Sequence, residues 1–205
     1  MTKDQFIEYY RDINVDHDWW DFTYDGFKQR MDDVGFTVDE IRFSGFCSQG
    51  DGASFNGYVS DYEKFFVAAD LPQAKLLALY TETLTNTISV EFSHSYRYVH
   101  ENTMILGGDR MPDMPGDTYF DDEDFEDAFE HLGSVRVAAL GAALRPLSTT
   151  KLEEYILDYL RAQARDLYRD LEKEYDYLTS DEAVWETIEA NELHTEHLED
   201  QQEAA

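Results

Sequence analysis

Apolar positions along this chain change their period several times, and each change marks a new element. Phe6, Tyr9, Tyr10 and Ile13 recur at helical spacing and predict a short amphipathic helix over residues 3–13. A second helix is expected over residues 18–34, with Trp20, Tyr24, Phe27 and Met31 inward and Asp21, Asp25, Asp32 and Asp33 in water. Gly35 would end it. From Thr37 the period becomes two: Ile41 and Phe43 face one way, Arg42 and Ser44 the other, which is a strand. Ser48-Gln49-Gly50-Asp51-Gly52 then reads as a tight connection, its glycines free to take positive φ, leading into a second strand over residues 54–59. Ser60 or Asp61 is placed to cap a short helix reaching Phe66. Residues 71–84 form another, with Pro72 in its first turn. Ile88, Val90, Phe92, His94, Tyr96, Tyr98 and His100 share one parity. They predict one long strand, or two joined by a turn near Ser93–Ser95.

The rest of the chain reads as helical. Pro112, Pro115 and Gly116 make the start of residues 111–124 an acidic loop, and Phe125, Phe129 and Leu132 then line one face of an acidic helix ended by Gly133. The small apolar residues 135–144 suit a buried helix stopped by Pro146. Thr150 and Glu153 fit a capping box. The i, i+3, i+4 series from Leu152 to Leu178 predicts a helix of nearly thirty residues, roughly 40 Å long. Thr179-Ser180-Asp181-Glu182 fits a second box, opening a helix over residues 183–193 with Trp185 and Ile188 inward. The expected fold is α+β: a small antiparallel sheet of three to four strands, flanking helices and a long C-terminal helix. Residues 1–205 are read as one domain, with a mixed core over 1–112, an acidic helical part over 113–193 and a frayed tail over 194–205.

Charge sharpens this picture. The chain has 205 residues, with 45 Asp and Glu against 16 Lys and Arg, a formal net charge of -29. Such a balance argues against direct contact with nucleic acid or an anionic membrane, both of which need cations on the protein. No stretch approaches the roughly 20 apolar residues of a spanning helix, and no secretory leader is visible, so a cytoplasmic chain is expected. A 42% apolar and 15% aromatic content is nevertheless enough for a core, so the acidity does not imply disorder. Adaptation to high salt would also give an acidic surface, but does not require 13 Phe and 14 Tyr. The charge is segmented. Residues 113–130 hold nine acids and no base, residues 170–205 hold 13 acids and one base, and residues 131–169 hold four acids and six bases. Acidic flanks surround a nearly neutral body. Solvated faces that keep the protein soluble are the plainest explanation.

Catalytic motifs are sparse. The chain has no Gly-x-Ser-x-Gly elbow, no phosphate loop and no His-Glu-x-x-His pair, so no enzyme, cofactor or metal centre is expected. His94 and His100 share strand parity with Glu91 nearby, but six residues of strand separate them by roughly 20 Å. His194 and His197 flank Glu196 close to the C-terminal end, where exposed bystanders are expected. Asp121 to Asp124 lacks the glycine of a calcium loop. The lone Cys47 cannot form an internal disulfide, and a small residue packed beside a turn is the simpler reading.

Two segments resemble blocks found in small acidic proteins carried by phages, prophages and plasmids. The first runs from Ile41 through Phe43-Ser44-Gly45-Phe46-Cys47-Ser48-Gln49-Gly50-Asp51-Gly52-Ala53-Ser54-Phe55. The second is Leu178-Thr179-Ser180-Asp181-Glu182-Ala183, followed by Glu186-Thr187-Ile188-Glu189-Ala190-Asn191. After Asn191 this chain has Glu192-Leu193-His194 where an aromatic residue and a glycine are usual. Such proteins are mostly uncharacterised, and some are labelled antitoxins of toxin–antitoxin systems. The resemblance implies an origin on a mobile element.

Three functions compete. The first is a nucleic-acid mimic that occupies the DNA- or RNA-binding surface of a basic host defence protein, as an anti-CRISPR or antirestriction inhibitor. Its contact residues would be Asp121, Asp122, Glu123, Asp124, Glu126, Asp127 and Glu130, then Glu172, Glu174, Asp176, Asp181, Glu182, Glu186 and Glu189. Ser48, Gln49 and Asp51 would be either a structural turn or an added contact loop. The second is an antitoxin that buries a cognate toxin's active site with an apolar hot spot, such as one of the tyrosines. The third is an enzyme whose site uses His94, Tyr96 and Tyr98. A homodimer is expected if the exposed face of the long helix pairs with a second copy.

Overall fold

The computed structural model describes residues 1–16, 18–84, 87–93, 98–107 and 111–193. Among the described residues the fold is α+β, with eight α-helices and a four-stranded antiparallel sheet. It packs as two compact units. A central unit comprises residues 26–168, and a terminal unit combines residues 1–25 with the chain from 169 onward. Two helices, α2 (Asp21–Asp33) and α7 (Thr149–Leu178), contribute residues to both.

In the central unit, α2 turns Phe27 and Met31 inward, four residues apart. Gly35 stops the helix at φ +81°, a conformation that favours glycine, and its carbonyl accepts the N–H groups of Ser60 and Asp61 at 2.9 and 3.1 Å. That bond ties the start of β1 (Phe36–Phe43) to the end of β2 (Ala53–Val59). The two strands pair from Phe36 with Val59 to Phe43 with Ala53, and a bulge interrupts the register between Val38 and Glu40. The Glu40 N–H there donates to the Asn56 side-chain oxygen at 2.8 Å, so the irregularity leaves this donor satisfied. Asp61 caps α3 (Tyr62–Ala68), followed by α4 (Ala74–Thr83), and the sheet is completed by β3 (Ser89–Phe92) and β4 (Met104–Gly107) in the order β1-β2-β3-β4.

Aromatic rings fill the centre. Phe55 meets Phe27 and Phe36 with ring centroids 5.1 and 5.7 Å away, Phe65 meets Phe36 at 5.7 Å, and Tyr159 of α7 closes on Phe65 at 5.5 Å. Burying a side chain of this size contributes about 2–3 kcal/mol, and burial accounts for eight of the thirteen phenylalanines, whereas Phe22 is exposed. Along α7, Leu152, Ile156, Leu160, Ala164 and Leu167 are fully buried at helical spacing. Its thirty residues span about 45 Å.

In the terminal unit, α1 (Lys3–Tyr9) carries a capping box in which Thr2 and Gln5 satisfy each other's backbone N–H. Phe6 and Ile7 pack with Val184 and Ile188 of α8 (Asp181–Ala190), bordered by Tyr10, Ile13, Trp185 and Leu193. Trp19 meets Trp20 and Tyr175 edge-on, and Lys3 lies 4.6 Å over the Trp185 ring. All three tryptophans of the chain belong to this unit.

Several sequence expectations are corrected. The first helix ends at Tyr9 rather than residue 13, with Ile7 buried and Tyr9 exposed. The alternating series from Ile88 is not one strand: β3 ends at Phe92, and Tyr98 and His100 lie outside the sheet. A local turn takes over there, because the His100 ring accepts the Asn102 N–H at 3.1 Å and its carbonyl accepts the Thr103 hydroxyl and N–H. The expected turn near Ser93–Ser95 falls partly outside the described residues. Pro72 precedes α4, whose cap is Gln73 in a left-handed conformation. Helix α6 (Ser134–Leu144) is not wholly buried: Val137, Leu140 and Leu144 face inward and Val135 is exposed. Both expected capping boxes reduce to single caps, by Ser148 for α7 and Ser180 for α8.

Candidate acidic interface

The nine acids of residues 113–130 include the short helix α5 (Asp122–Ala128) and a 3₁₀ turn at Glu130–Leu132. Phe125 and Phe129, four apart, take the buried side, and Tyr80 of α4 stacks on Phe129 with centroids 5.6 Å apart. The Tyr80 hydroxyl donates to the Asp113 carbonyl, and burial pushes its ionisation well above the usual phenol range. The acids of α5 are thereby turned outward: Asp122, Glu123, Asp124, Glu126 and Asp127 are exposed, as is Glu130 in the turn that follows.

Their electrostatic states differ. Asp121 is the N-cap, accepting the N–H groups of Glu123 and Asp124, so its carboxylate is engaged within the chain. Asp122 pairs with Arg145 at 2.7 Å. Among the described residues, Glu123, Asp124, Glu126, Asp127 and Glu130 have no ion-pair partner. Asp122, Glu123 and Asp124 stand in the first turn, where the partial positive charge of the helix end favours them.

A polar knot secures the loop that leads into α5. Asp117 accepts the Met114 N–H at 2.8 Å and both the N–H and hydroxyl of Thr149, at 3.0 and 2.6 Å, and Thr149 also reaches the Pro112 carbonyl. Desolvation works to raise the Asp117 pKa, but the Thr149 hydroxyl and the two backbone N–H groups outweigh it and hold the carboxyl below its usual range. The sequence gives little warning of this pair, which lies 32 residues apart. Its one trace is the Pro-Gly-Asp turn signature at residues 115–117.

The second set of acids lies in the terminal unit. Glu172 and Asp176 are exposed and Glu174 half-buried near the end of α7; Glu182, Glu186 and Glu189 are exposed on α8. Asp181 is held by Arg11, whose guanidinium also donates to the Thr179 carbonyl at 3.0 Å. The two sets fall in different units.

The loop between β1 and β2 serves two ends. Asp51 is structural, since one carboxylate oxygen accepts the N–H groups of Cys47 and Ser48 at 2.9 and 2.6 Å, whereas Ser48 and Gln49 are exposed. Gly50 and Gly52 are needed for close approach, not for positive φ, which Gly45 takes instead. A Cβ on Gly50 would enter the Tyr98 ring, and one on Gly52 would stand 2.6 Å from both the His100 Cβ and the Val99 carbonyl oxygen. Of the residues considered for an enzyme site, Tyr98 is committed to this packing. His94 and Tyr96, like His194, Glu196 and His197, lie outside the described residues. Among the described residues, no three His, Cys, Asp or Glu side chains gather as a metal-holding group, and no helix is long and apolar enough to cross a membrane.

This is an α+β protein with a sequential antiparallel sheet and a carboxylate-bearing helix pinned by aromatics. The chain belongs to the DUF8835 family, described as a domain of unknown function, whose family model matches residues 19–181. No curated protein and no solved structure matches it.

Proposed function

We propose that this protein is a nucleic-acid mimic, an acidic inhibitor that occupies the DNA- or RNA-binding surface of a basic host defence protein in the cytoplasm. The observation that supports this reading is the set of outward carboxylates on α5, held by the Phe125, Phe129 and Tyr80 packing. Of the seven acids from Asp121 to Glu130, the five that are neither the N-cap nor paired with Arg145 give about one carboxylate every 3 Å along the segment, against one charge per roughly 1.7 Å of duplex DNA. A partner that binds phosphates through lysine and arginine would meet about half that charge density, on a preformed surface. Association should be fast and strongly salt-dependent.

The test is affinity capture from host lysate at low salt, with elution in rising salt, followed by competition against duplex DNA or RNA. Retention of a nucleic-acid-binding protein that the competing nucleic acid displaces supports the mimic. It should be weakened at least tenfold in a Glu123→Gln, Asp124→Asn, Glu126→Gln, Asp127→Asn variant. Retention of no basic protein overturns it.

An antitoxin-like role has its own support in Tyr119, 97% exposed, and Val135, 83% exposed, which flank the acidic segment and could anchor in a toxin's apolar site. Such binding would survive salt and be lost in Tyr119→Ala.

A further inference from the structure

The terminal unit holds a concave pocket of about 390 Å³, open to solvent on one side and lined by Ile13, Asn14, Asp16, Tyr177, Leu178, Ala183, Glu186 and Thr187. Its size is in the range of small-ligand sites. The walls are divided by chemistry: Ile13, Leu178 and Ala183 are apolar, the Tyr177 ring is 60% exposed, and Asp16 and Glu186 supply carboxylates.

One wall is preorganised. The Asn14 amide donates to the Leu178 carbonyl at 3.0 Å, and the Thr187 hydroxyl is within bonding distance of the Asn14 oxygen at 2.7 Å. The pocket therefore forms where α7 ends, and the carbonyl end of a helix carries partial negative charge. The last turn of α7 holds no basic residue of its own, so donors from outside the helix meet its end: Asn14 at the Leu178 carbonyl and Arg11 at the Thr179 carbonyl. Among the described residues, neither Asp16 nor Glu186 has a cationic partner, and no cation lines the pocket.

The same turn already binds one guanidinium. Arg11 donates to the Thr179 carbonyl and to Asp181, a carbonyl-plus-carboxylate arrangement at the α7–α8 junction. The pocket beside it brings two carboxylates, Asp16 and Glu186, together with an apolar wall and an aromatic ring. A planar cation on an aliphatic stem matches all three features, because guanidinium is weakly hydrated, packs against aromatic rings and pairs with carboxylates.

We infer that this pocket is a binding site for a guanidinium group on an apolar stem, the side chain of an arginine presented by a partner protein. Free arginine is the poorer ligand, since its α-carboxylate would enter a site walled by Asp16 and Glu186. The pocket's ligand chemistry does not depend on what the α5 surface binds.

The experiment titrates the full chain with N-acetyl-arginine-N-methylamide while following the Asn14 side-chain amide and the backbone amides of Thr187 and Glu186 by ¹⁵N NMR. Saturable shifts confined to pocket residues are expected, with no response to the isosteric citrulline derivative. Asp16→Asn and Glu186→Gln should each weaken binding about fivefold, whereas Glu189→Gln, on the same helix but outside the pocket, should leave it unchanged. Free arginine should bind less tightly than the blocked form. Equal shifts from the citrulline derivative, shifts spread over all acidic residues, equal weakening by Glu189→Gln, or no shift at all would overturn the site. Tighter binding of free arginine would overturn its assignment to a partner protein.

Discussion

The carboxylates of α5 and those at the close of α7 sit at opposite helix ends. On α5, Asp122, Glu123 and Asp124 occupy the first turn, where the helix dipole stabilises negative charge. At the end of α7, Glu174 and Asp176 face the negative pole with no basic residue in the final turn. Acidic charge is thus locally favoured in the first region and locally opposed in the second. Equal counts of Asp and Glu therefore have unequal meaning. The α5 surface carries most of its charge unpaired, Asp122 excepted, whereas the α7–α8 junction gains from cations, supplied in part by Arg11.

Removing the α5 anchor has the largest expected effect. Phe129→Ala, at a fully buried ring, should cost about 3–5 kcal/mol in urea unfolding followed by circular dichroism. A loss below about 1 kcal/mol would mean that α5 does not depend on this packing. In the terminal unit, Ile188→Ala should cost about 2–4 kcal/mol, because it opens a cavity in a small cluster of Phe6, Ile7 and Val184.

Asp117→Asn comes next, at about 1–2 kcal/mol near neutral pH, from weakened acceptance of the Thr149 and Met114 donors. The sign of its pH dependence follows from the lowered carboxyl pKa. Wild-type stability from this group is fully present above the unfolded value of about 3.9 and is lost as pH falls through the folded value. Denaturation midpoints measured from pH 6 down to pH 2 should converge for the two proteins. A constant gap across that range would rule out the carboxylate as the source.

The helix-end contrast itself is probed by the smallest changes. Glu123→Gln should destabilise by about 0.3–0.5 kcal/mol and Asp176→Asn should stabilise by a similar amount, both at low salt. Changes of the same sign in melting temperature would remove the distinction drawn between the two regions.

Much of the architecture was legible because it rests on periodicity. The α7 stripe from Leu152 to Leu167 and the buried Phe125 and Phe129 beside the α5 acids are written locally, whereas the expected Ile41 and Phe43 parity of β1 is not seen in burial, since Ile41, Arg42 and Phe43 are all half-buried. What local pattern does not carry is pairing at a distance. The Asp117–Thr149 knot, the filling of Gly50 by Tyr98, and the Asn14–Thr187 wall depend on which segments meet. The alternation from Ile88 to His100 misled for a related reason, since His100 commits its ring and carbonyl to a turn that side-chain parity does not reveal. Of the candidate contact residues, exposure of the α5 acids followed from the buried phenylalanines, and the turn role of Asp51 was one of the two readings of its loop, but the internal use of Asp121 and Asp181 did not follow from local pattern.

The distribution of indole groups has a practical consequence. With Trp19, Trp20 and Trp185 all in the terminal unit, light absorbed at the red edge of the near-ultraviolet band excites that unit selectively, while the phenylalanine- and tyrosine-built centre stays dark. Emission therefore offers a built-in optical reporter for the terminal unit alone. Occupancy beside Tyr177 can be followed against a background to which the acidic helix α5 contributes no indole signal.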